Sequence, residues 1–307
     1  MVKIAVLASF NMDLVMRAQR RPRAGETLQG DFAMFPGGKG FNQAVAARRM
    51  GADVAVAGRV GDDEFGRVFL KALDAEAIDR RAVVVDRAAG TGVASIIVAA
   101  DGTNTIVQAP RANRLVRRED LDGTGIFEGA AAAMVNLETN DAAAIAFLAA
   151  LHGGGHTLLN PAPARAVPQA LLRVASVIVA NDLEAEAITG VRCDTAAAAT
   201  DAAARLGACG VVTLGGRGVV GVSGGDRVSI DAHGIMAVDT VGAGDAFCAA
   251  LAVRLAEGAA FRDALRFANA AGAVACTRAG ALPSMPRRLK DSEQPRLLPD
   301  MLRPEAK

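Results

Sequence analysis

Short apolar runs recur along this chain with room for one helix between neighbours, and that alternation constrains the fold more than any other feature. Residues 4–8, 54–58, 134–137, 157–159, 177–180 and 211–214 are brief and apolar, so they read as strands covered on both faces. Helical patterns separate them: 42–50 closed by Gly51, 64–75, 141–151, 168–174, 184–189 closed by Gly190, and 195–206 closed by Gly207. Parallel neighbours need a crossover of helix length, so strand–helix alternation at this period predicts a parallel sheet. The expected class is α/β, a doubly wound, mostly parallel sheet flanked by helices. A length of 307 residues with 51% hydrophobic side chains supplies ample core for it.

Two stretches break the rhythm. Residues 14–35 carry charges and turn residues without a helical period. Residues 92–107 read as a hairpin, with strands at 93–98 and 105–107 and a turn at Asp101-Gly102. Together they predict a small β-sheet lid over the carboxyl edge of the main sheet. The expected division is a core of 1–13, 37–91 and 113–286, a lid of 14–36 and 92–112, and a Pro- and charge-rich C-terminal tail, 287–307.

Several function classes fall away on composition. The formal net charge is +1 with both signs dispersed, so neither a nucleic acid nor a membrane surface is an expected partner. The chain has no Trp and no Tyr to stack on bases. No apolar stretch reaches membrane-spanning length, and the first residues run straight into an apolar strand without a cleavage site. Cys193, Cys209, Cys248 and Cys276 are scattered, as expected of reduced thiols in a cytoplasmic protein. His152 and His156 have metal-like spacing, but Gly153-Gly154-Gly155 lies between them.

Chemistry is expected at Asp239-Thr240-Val241-Gly242-Ala243-Gly244-Asp245, between a strand-like run at 228–238 and a helical pattern at 246–256. Small residues at such a helix start leave several backbone N–H groups open to a phosphate or a developing oxyanion. A carboxylate there, on Asp245, repels an anion unless it serves a purpose such as taking a proton from an attacking hydroxyl. The ordinary alternative is a helix-capping or first-turn acid. Polar residues also gather at the carboxyl ends of the expected strands, namely Asn11, Asp13, Asn136, Glu138, Asn160, Asn181 and Thr213. That rim is where open α/β sheets bind ligands. Pro36-Gly37-Gly38-Lys39-Gly40-Phe41-Asn42 is a glycine-rich turn without the spacing of a Walker loop. It reads either as a tight strand-to-helix turn or as backbone approaching a ligand, with Lys39 and Asn42 as donors. Gly216-Arg217-Gly218-Val219-Val220-Gly221 matches a dinucleotide fingerprint, but the residues after it are strand-like, so a hairpin turn is expected.

Asn11-Met12-Asp13, Gly37-Gly38-Lys39-Gly40 with Asn42, Asn181-Asp182-Leu183-Glu184, Thr213-Leu214-Gly215-Gly216-Arg217-Gly218 and the Asp239-to-Asp245 motif occur in the order seen in ribokinase-family sugar kinases. The chain resembles that family over residues 2–286, and the paired glycines with Lys39 and Asn42 look most like its ribokinase branch. The resemblance implies transfer of the ATP γ-phosphate to a sugar hydroxyl, D-ribose to ribose 5-phosphate as first choice. Asp245 is then the base, and Gly242, Ala243 and Gly244 the anion hole. Asn11, Asp13, Gly38, Lys39, Asn42 and Glu138 bind the sugar. Asn181 and Glu184 organise Mg²⁺ through water, and Thr213, Gly215, Gly218 and Asn269 line the nucleotide pocket. A monovalent cation, K⁺, is implied at Asp239, Val241, Ala275, Arg278, Gly280 and Ser284, as is a homodimer through the lid. Arg111, in Ala109-Pro110-Arg111-Ala112-Asn113, departs from the small, Gly-containing segment typical of ribokinases. It points either to solvent or to an acidic or differently shaped sugar. Kinases for another sugar, a sugar acid or a nucleoside stay open, as does a non-catalytic sugar- or nucleotide-binding regulator.

Overall fold

The computed structural model describes residues 1–288. Its first strands are β1 (Lys3–Leu7), β2 (Asn11–Ala18), β3 (Asp31–Gly37), β4 (Asp53–Gly61), β5 (Asp79–Asp86), β6 (Gly92–Ala99) and β7 (Asn104–Ala109). They are followed by β8 (Ala130–Asn136), β9 (His156–Asn160), β10 (Val177–Asn181), β11 (Cys209–Thr213), β12 (Val219–Ser223) and β13 (Asp226–Ile230). The helices are α1 (Lys39–Arg49), α2 (Glu64–Ala75), α3 (Asp141–Ala149), α4 (Gln169–Val174), α5 (Asp182–Thr189), α6 (Ala196–Leu206), α7 (Ala243–Ala256), α8 (Phe261–Ala275) and α9 (Ala281–Ser284).

A nine-stranded sheet runs in the order β13-β12-β11-β10-β9-β8-β1-β4-β5. Pairing is parallel from β11 to β5 and antiparallel where β12 and β13 are added at one edge. Because successive side chains point to opposite faces, β1 serves two cores at once. Ile4 and Val6 pack with α1, α2, α7 and α8, while Ala5 and Leu7 pack with α3 and α6. That double coverage is the reason the central strands read as unbroken apolar runs. Helix α7 is buried from Asp245 to Val253, so the carboxylate in its first turn is itself buried.

A separate four-stranded sheet has the order β3-β2-β6-β7. Strand β2 pairs antiparallel with β3 and parallel with β6, and β6 and β7 form the expected hairpin. It begins at Asn11, a few residues beyond the end of β1. The connections therefore put this sheet beside the carboxyl end of the main sheet's central strand.

Three features differ from the sequence reading. The strand expected over 228–238 stops at Ile230. Among the described residues its one neighbour is β12, whose first residue, Val219, pairs with Ile230, so beyond that point no described strand is there to join. Helix α8 lies outside the helical stretches read from sequence, although its buried Ala264, Leu265, Ala268, Ala271 and Ala275 follow helical spacing. Strand β5 also went unread, because as an edge strand it carries Arg80 and Arg81 among its apolar residues. Most of the expected tail, 289–307, lies outside the described residues. Of its first residues, Arg288 donates its N–H to the Arg49 carbonyl at 2.9 Å.

Candidate active site

Helix α7 starts on Gly242, whose φ of 84° favours glycine. A Cβ there would stand 2.6 Å from Cε of Met285, so the turn excludes any larger residue without movement. The N–H groups of Gly244 and Asp245 have no backbone acceptor among the described residues, as the geometry of a helix start requires. A Cβ on Gly244 would meet nothing within 4 Å, so the turn is uncovered at that residue. The result is an uncovered positive helix end with a carboxylate, Asp245, in its first turn.

Asp245 is 6% exposed, and both of its oxygens accept hydrogen bonds from α1. Nδ2 of Asn42 donates to Oδ2 at 3.0 Å, and Nε2 of Gln43 donates to Oδ1 at 3.1 Å. Burial lifts the Asp245 carboxyl to about 6, against the pull of Lys39 and the two amide donors. A carboxyl so poised is ionised near neutrality and basic enough to accept a proton.

Glu138, just beyond β8, is the hub of the neighbouring polar cluster. Its Oε2 accepts from Ser9 Oγ at 2.6 Å, Asn11 Nδ2 at 3.2 Å and the Lys39 N–H at 2.8 Å. Its Oε1 accepts from Gln108 Nε2 of β7 at 3.1 Å, a bond that joins the small sheet to the core. Burial, reinforced by the Glu138 and Asp245 carboxylates, lifts Asp13 on β2 to about 7, with Lys39 opposing. For Lys39 burial opposes the charge, but the carboxylates of Asp245, Glu138 and Glu184 outweigh it and hold the ammonium above its usual value. The structure thus brings Asn11, Asp13, Lys39, Asn42, Glu138 and Asp245 into one electrostatically coupled group.

The glycine turn before α1 has a packing explanation. Gly38 has φ of 98°, and a Cβ there would collide with the Ser9 carbonyl. A Cβ on Gly40 would lie 2.6 Å from Cα of Ala8. These glycines let the start of α1 press against the chain leaving β1, which is what delivers Lys39, Asn42 and Gln43 to the site.

Further along the rim, Asn181 and Glu184 form a reciprocal capping box at the start of α5: the Asn181 N–H donates to Glu184 at 2.9 Å, and the Glu184 N–H to Asn181 at 2.8 Å. Burial raises the Glu184 carboxyl, with the Asn181 N–H and Lys39 opposing. Thr213 ends β11, and Gly215 and Gly218 shape the turn into β12, where a Cβ on Gly218 would collide with the Ile230 carbonyl. The G-x-G-x-x-G match is therefore an antiparallel hairpin. Asn269 on α8 donates to the Asp231 carbonyl at 2.9 Å. Asp239 joins the remaining group: its Oδ1 accepts from Val241 N–H at 3.0 Å and its Oδ2 from Gly280 N–H at 2.8 Å. Those bonds tie the strand-free loop before α7 to the turn around Arg278 and Gly280, with Ala275 and Ser284 buried on either side. Among the described residues no group of three or more His, Cys, Asp and Glu could hold a metal ion by itself.

The family model for pfkB family carbohydrate kinases matches residues 1–288. The chain belongs to that family. Among curated pfkB-family relatives, it is 36% identical to the ribokinase of Bacillus subtilis over 293 residues, covering 94% of this chain and 97% of that one. It is also 36% identical to the Mus musculus ribokinase, over 92% of this chain and 91% of the relative. Its structure matches that of Arabidopsis thaliana ribokinase complexed with ribose and ATP at a TM-score of 0.87, with 28% identity over 99% of this chain and 100% of that one.

Within this pfkB-family kinase, four polar contributors escaped the sequence reading. Gln43 stands beside Asn42 in the same turn of α1, and Ser9 and Gln108 both bind Glu138. Asn113 is fully buried: it accepts from the Phe10 N–H at 2.8 Å and donates to Asn11 Oδ1 at 2.9 Å, fixing the Asn11 amide against Glu138. Only Asn113 carried a sequence signal, through its place in the segment noted for Arg111. Arg111 itself has φ of 46°, the conformation a glycine adopts freely, and its guanidinium donates to the Thr91 carbonyl at 3.3 Å.

Proposed function

We propose that this kinase transfers the ATP γ-phosphate to D-ribose, giving ribose 5-phosphate. The observation that carries the proposal is the pairing of an open helix N-terminus with a buried carboxylate, Asp245, beside a hydroxyl-binding cluster of Asp13, Lys39, Asn42 and Glu138. The full-length likeness to proteins named ribokinase supplies the sugar. In this reading Asp245 takes the proton of the attacking hydroxyl while the turn of Gly242, Ala243 and Gly244 receives the phosphoryl oxygens, with the Gly244 N–H open and the Ala243 N–H exchanging the Thr240 carbonyl, 3.3 Å away, for the phosphate. Asn11, Asp13, Gly38, Lys39, Asn42 and Glu138 hold the sugar. Thr213, Gly215, Gly218 and Asn269 line the nucleotide pocket. Asn181 and Glu184 would hold Mg²⁺, through water, and the ion would supply charge neutralisation at the phosphates.

K⁺ fits the loop tied together by Asp239, Val241, Ala275, Arg278, Gly280 and Ser284. The small sheet acts as a lid that excludes water. Its face away from Asp13 exposes Met16, Phe32, Met34 and Val107, which stand in register with one another and fit a homodimer. The Arg111 guanidinium, the one feature that favours an acidic sugar, is engaged with the Thr91 carbonyl at the foot of the lid. The test is ADP formation over ribose, 2-deoxyribose, hexoses, sugar acids and nucleosides. Ribose should lead. Turnover on a sugar acid without turnover on ribose overturns the ribose assignment and leaves the kinase intact.

A further inference from the structure

Gln43 is fully buried, and its Nε2 lies between two oxygens: Asp245 Oδ1 at 3.1 Å and Asn160 Oδ1 at 3.2 Å. Asn160, at the end of β9, in turn donates Nδ2 to the Val179 carbonyl of β10 at 2.9 Å. A backbone carbonyl cannot change role, so it fixes the Asn160 amide with its nitrogen toward Val179 and its oxygen toward Gln43. That oxygen then fixes Gln43 with its nitrogen toward Asp245. Reversing either amide would set oxygen against oxygen.

We propose that Gln43, oriented by Asn160, is a positioning residue that holds the Asp245 carboxylate ionised and aimed for proton abstraction. This deepens the proposed kinase function and rests on Asp245 as its base. The chain of bonds runs through two strands of the main sheet, β9 and β10, and two helices, α1 and α7, so the carboxylate's orientation is set by the rigid core. Asn42 donates to the other oxygen, so both oxygens receive N–H groups that favour the charged form over the neutral acid. The charged and titratable groups around Asp245 are Lys39 on α1, Asp13 on β2, Glu138 after β8, and Cys248 on α7 itself. Glu184 on α5 acts on it through Lys39. Of the two donors, Gln43 is the one tied back into the sheet. Its Oε1 is buried without a partner among the described residues, so the residue keeps an orphan acceptor in order to present its donor.

The test is the pH profile of kcat and kcat/KM for Gln43→Met, which keeps length and removes both donor hydrogens. The acid limb should move toward neutrality by about one pH unit. Turnover at pH 6 should fall by about fivefold and largely recover at high pH, with KM for the sugar little changed. Asn160→Ala should shift the limb in the same direction by less, and should add nothing to Gln43→Met, because both act along one path. If Gln43→Met does not fold, Asn160→Ala carries the same readout. An unmoved limb overturns the proposal, including the case where turnover and melting temperature fall together at every pH, which is the behaviour of a packing residue. Asp245→Asn separates the two levels. An active Asp245→Asn enzyme removes the base itself, whereas an inactive one with unmoved limbs in the other variants removes only the role of Gln43.

Discussion

Replacing Asp245 by Asn keeps the side chain's shape and removes its basicity. General-base catalysis contributes about 10² to 10⁴-fold, so kcat should fall by that factor, a loss of roughly 3–5 kcal/mol in transition-state stabilisation. Stability should respond differently. Burial holds the Asp245 carboxyl at about 6 in the folded state against a reference of 3.8. The folded chain therefore binds this proton more tightly than the unfolded chain. Ionised Asp245 then costs the fold up to about 3 kcal/mol, a cost absent below the reference value and complete above about pH 6. Asn removes that cost. Against it, an amide cannot accept at both ends, so either Asn42 or Gln43 faces an N–H group instead of an oxygen, at about 1–3 kcal/mol. The two effects nearly cancel at pH 8. The variant should melt within a few degrees of the parent there, and it should lose stability relative to the parent as pH falls below about 6, where the parent's carboxyl becomes neutral. Coupled ADP-release assays and thermal melts over pH 5–9, with sugar and nucleotide binding measured by calorimetry, read all three quantities. The parent's kcat/KM should decline on the acid side between about 7 and about 6, since Asp13 and Asp245 titrate as a coupled set. Turnover by Asp245→Asn within a few-fold of the parent refutes the base assignment. A large loss of stability at pH 8 refutes the reasoning about the two amide donors.

Gly242→Ala should lower kcat by at least tenfold and destabilise the fold by about 1–3 kcal/mol, because φ is 84° and the new Cβ meets Met285. Unchanged kinetics would mean that the turn before α7 does not shape the anion hole. Arg111→Gly should relieve a left-handed backbone and leave the ribose-to-sugar-acid preference where it was; a melting temperature unchanged or higher, with a constant substrate ratio, is the expected result. A ratio that moves toward ribose would put the guanidinium in the sugar pocket. At fixed Mg²⁺ and ATP, K⁺ should raise kcat over tetramethylammonium, since a cation beside Asp239 would brace the loop leading to Gly242. Equal rates in the two salts remove the cation site.

The alternation of apolar runs and helical patterns was enough to specify the parallel sheet, because a strand buried on both faces cannot tolerate polar residues and a parallel crossover needs a helix. Residues 64–75 and 195–206 were legible for the same kind of local reason: their periods and caps are satisfied within a few residues. The helix start before Asp245 was legible because glycines interrupt the strand-like run and an apolar helical pattern follows them. What local sequence could not determine was where a strand stops when its partner does, as at Ile230, where the limit is set by Val219 on another strand. Nor could it say which side chains meet across the fold. Gln43, Asn160 and Asp245 are separated by more than a hundred residues in each long-range bond, and only the packing of α1 against α7, and of α7 on β9, brings their amides and carboxylate within hydrogen-bond reach. Arg111 shows the same division: its residue type marked a departure from glycine, while the direction of its guanidinium depended on the Thr91 carbonyl, which the tertiary packing alone delivers.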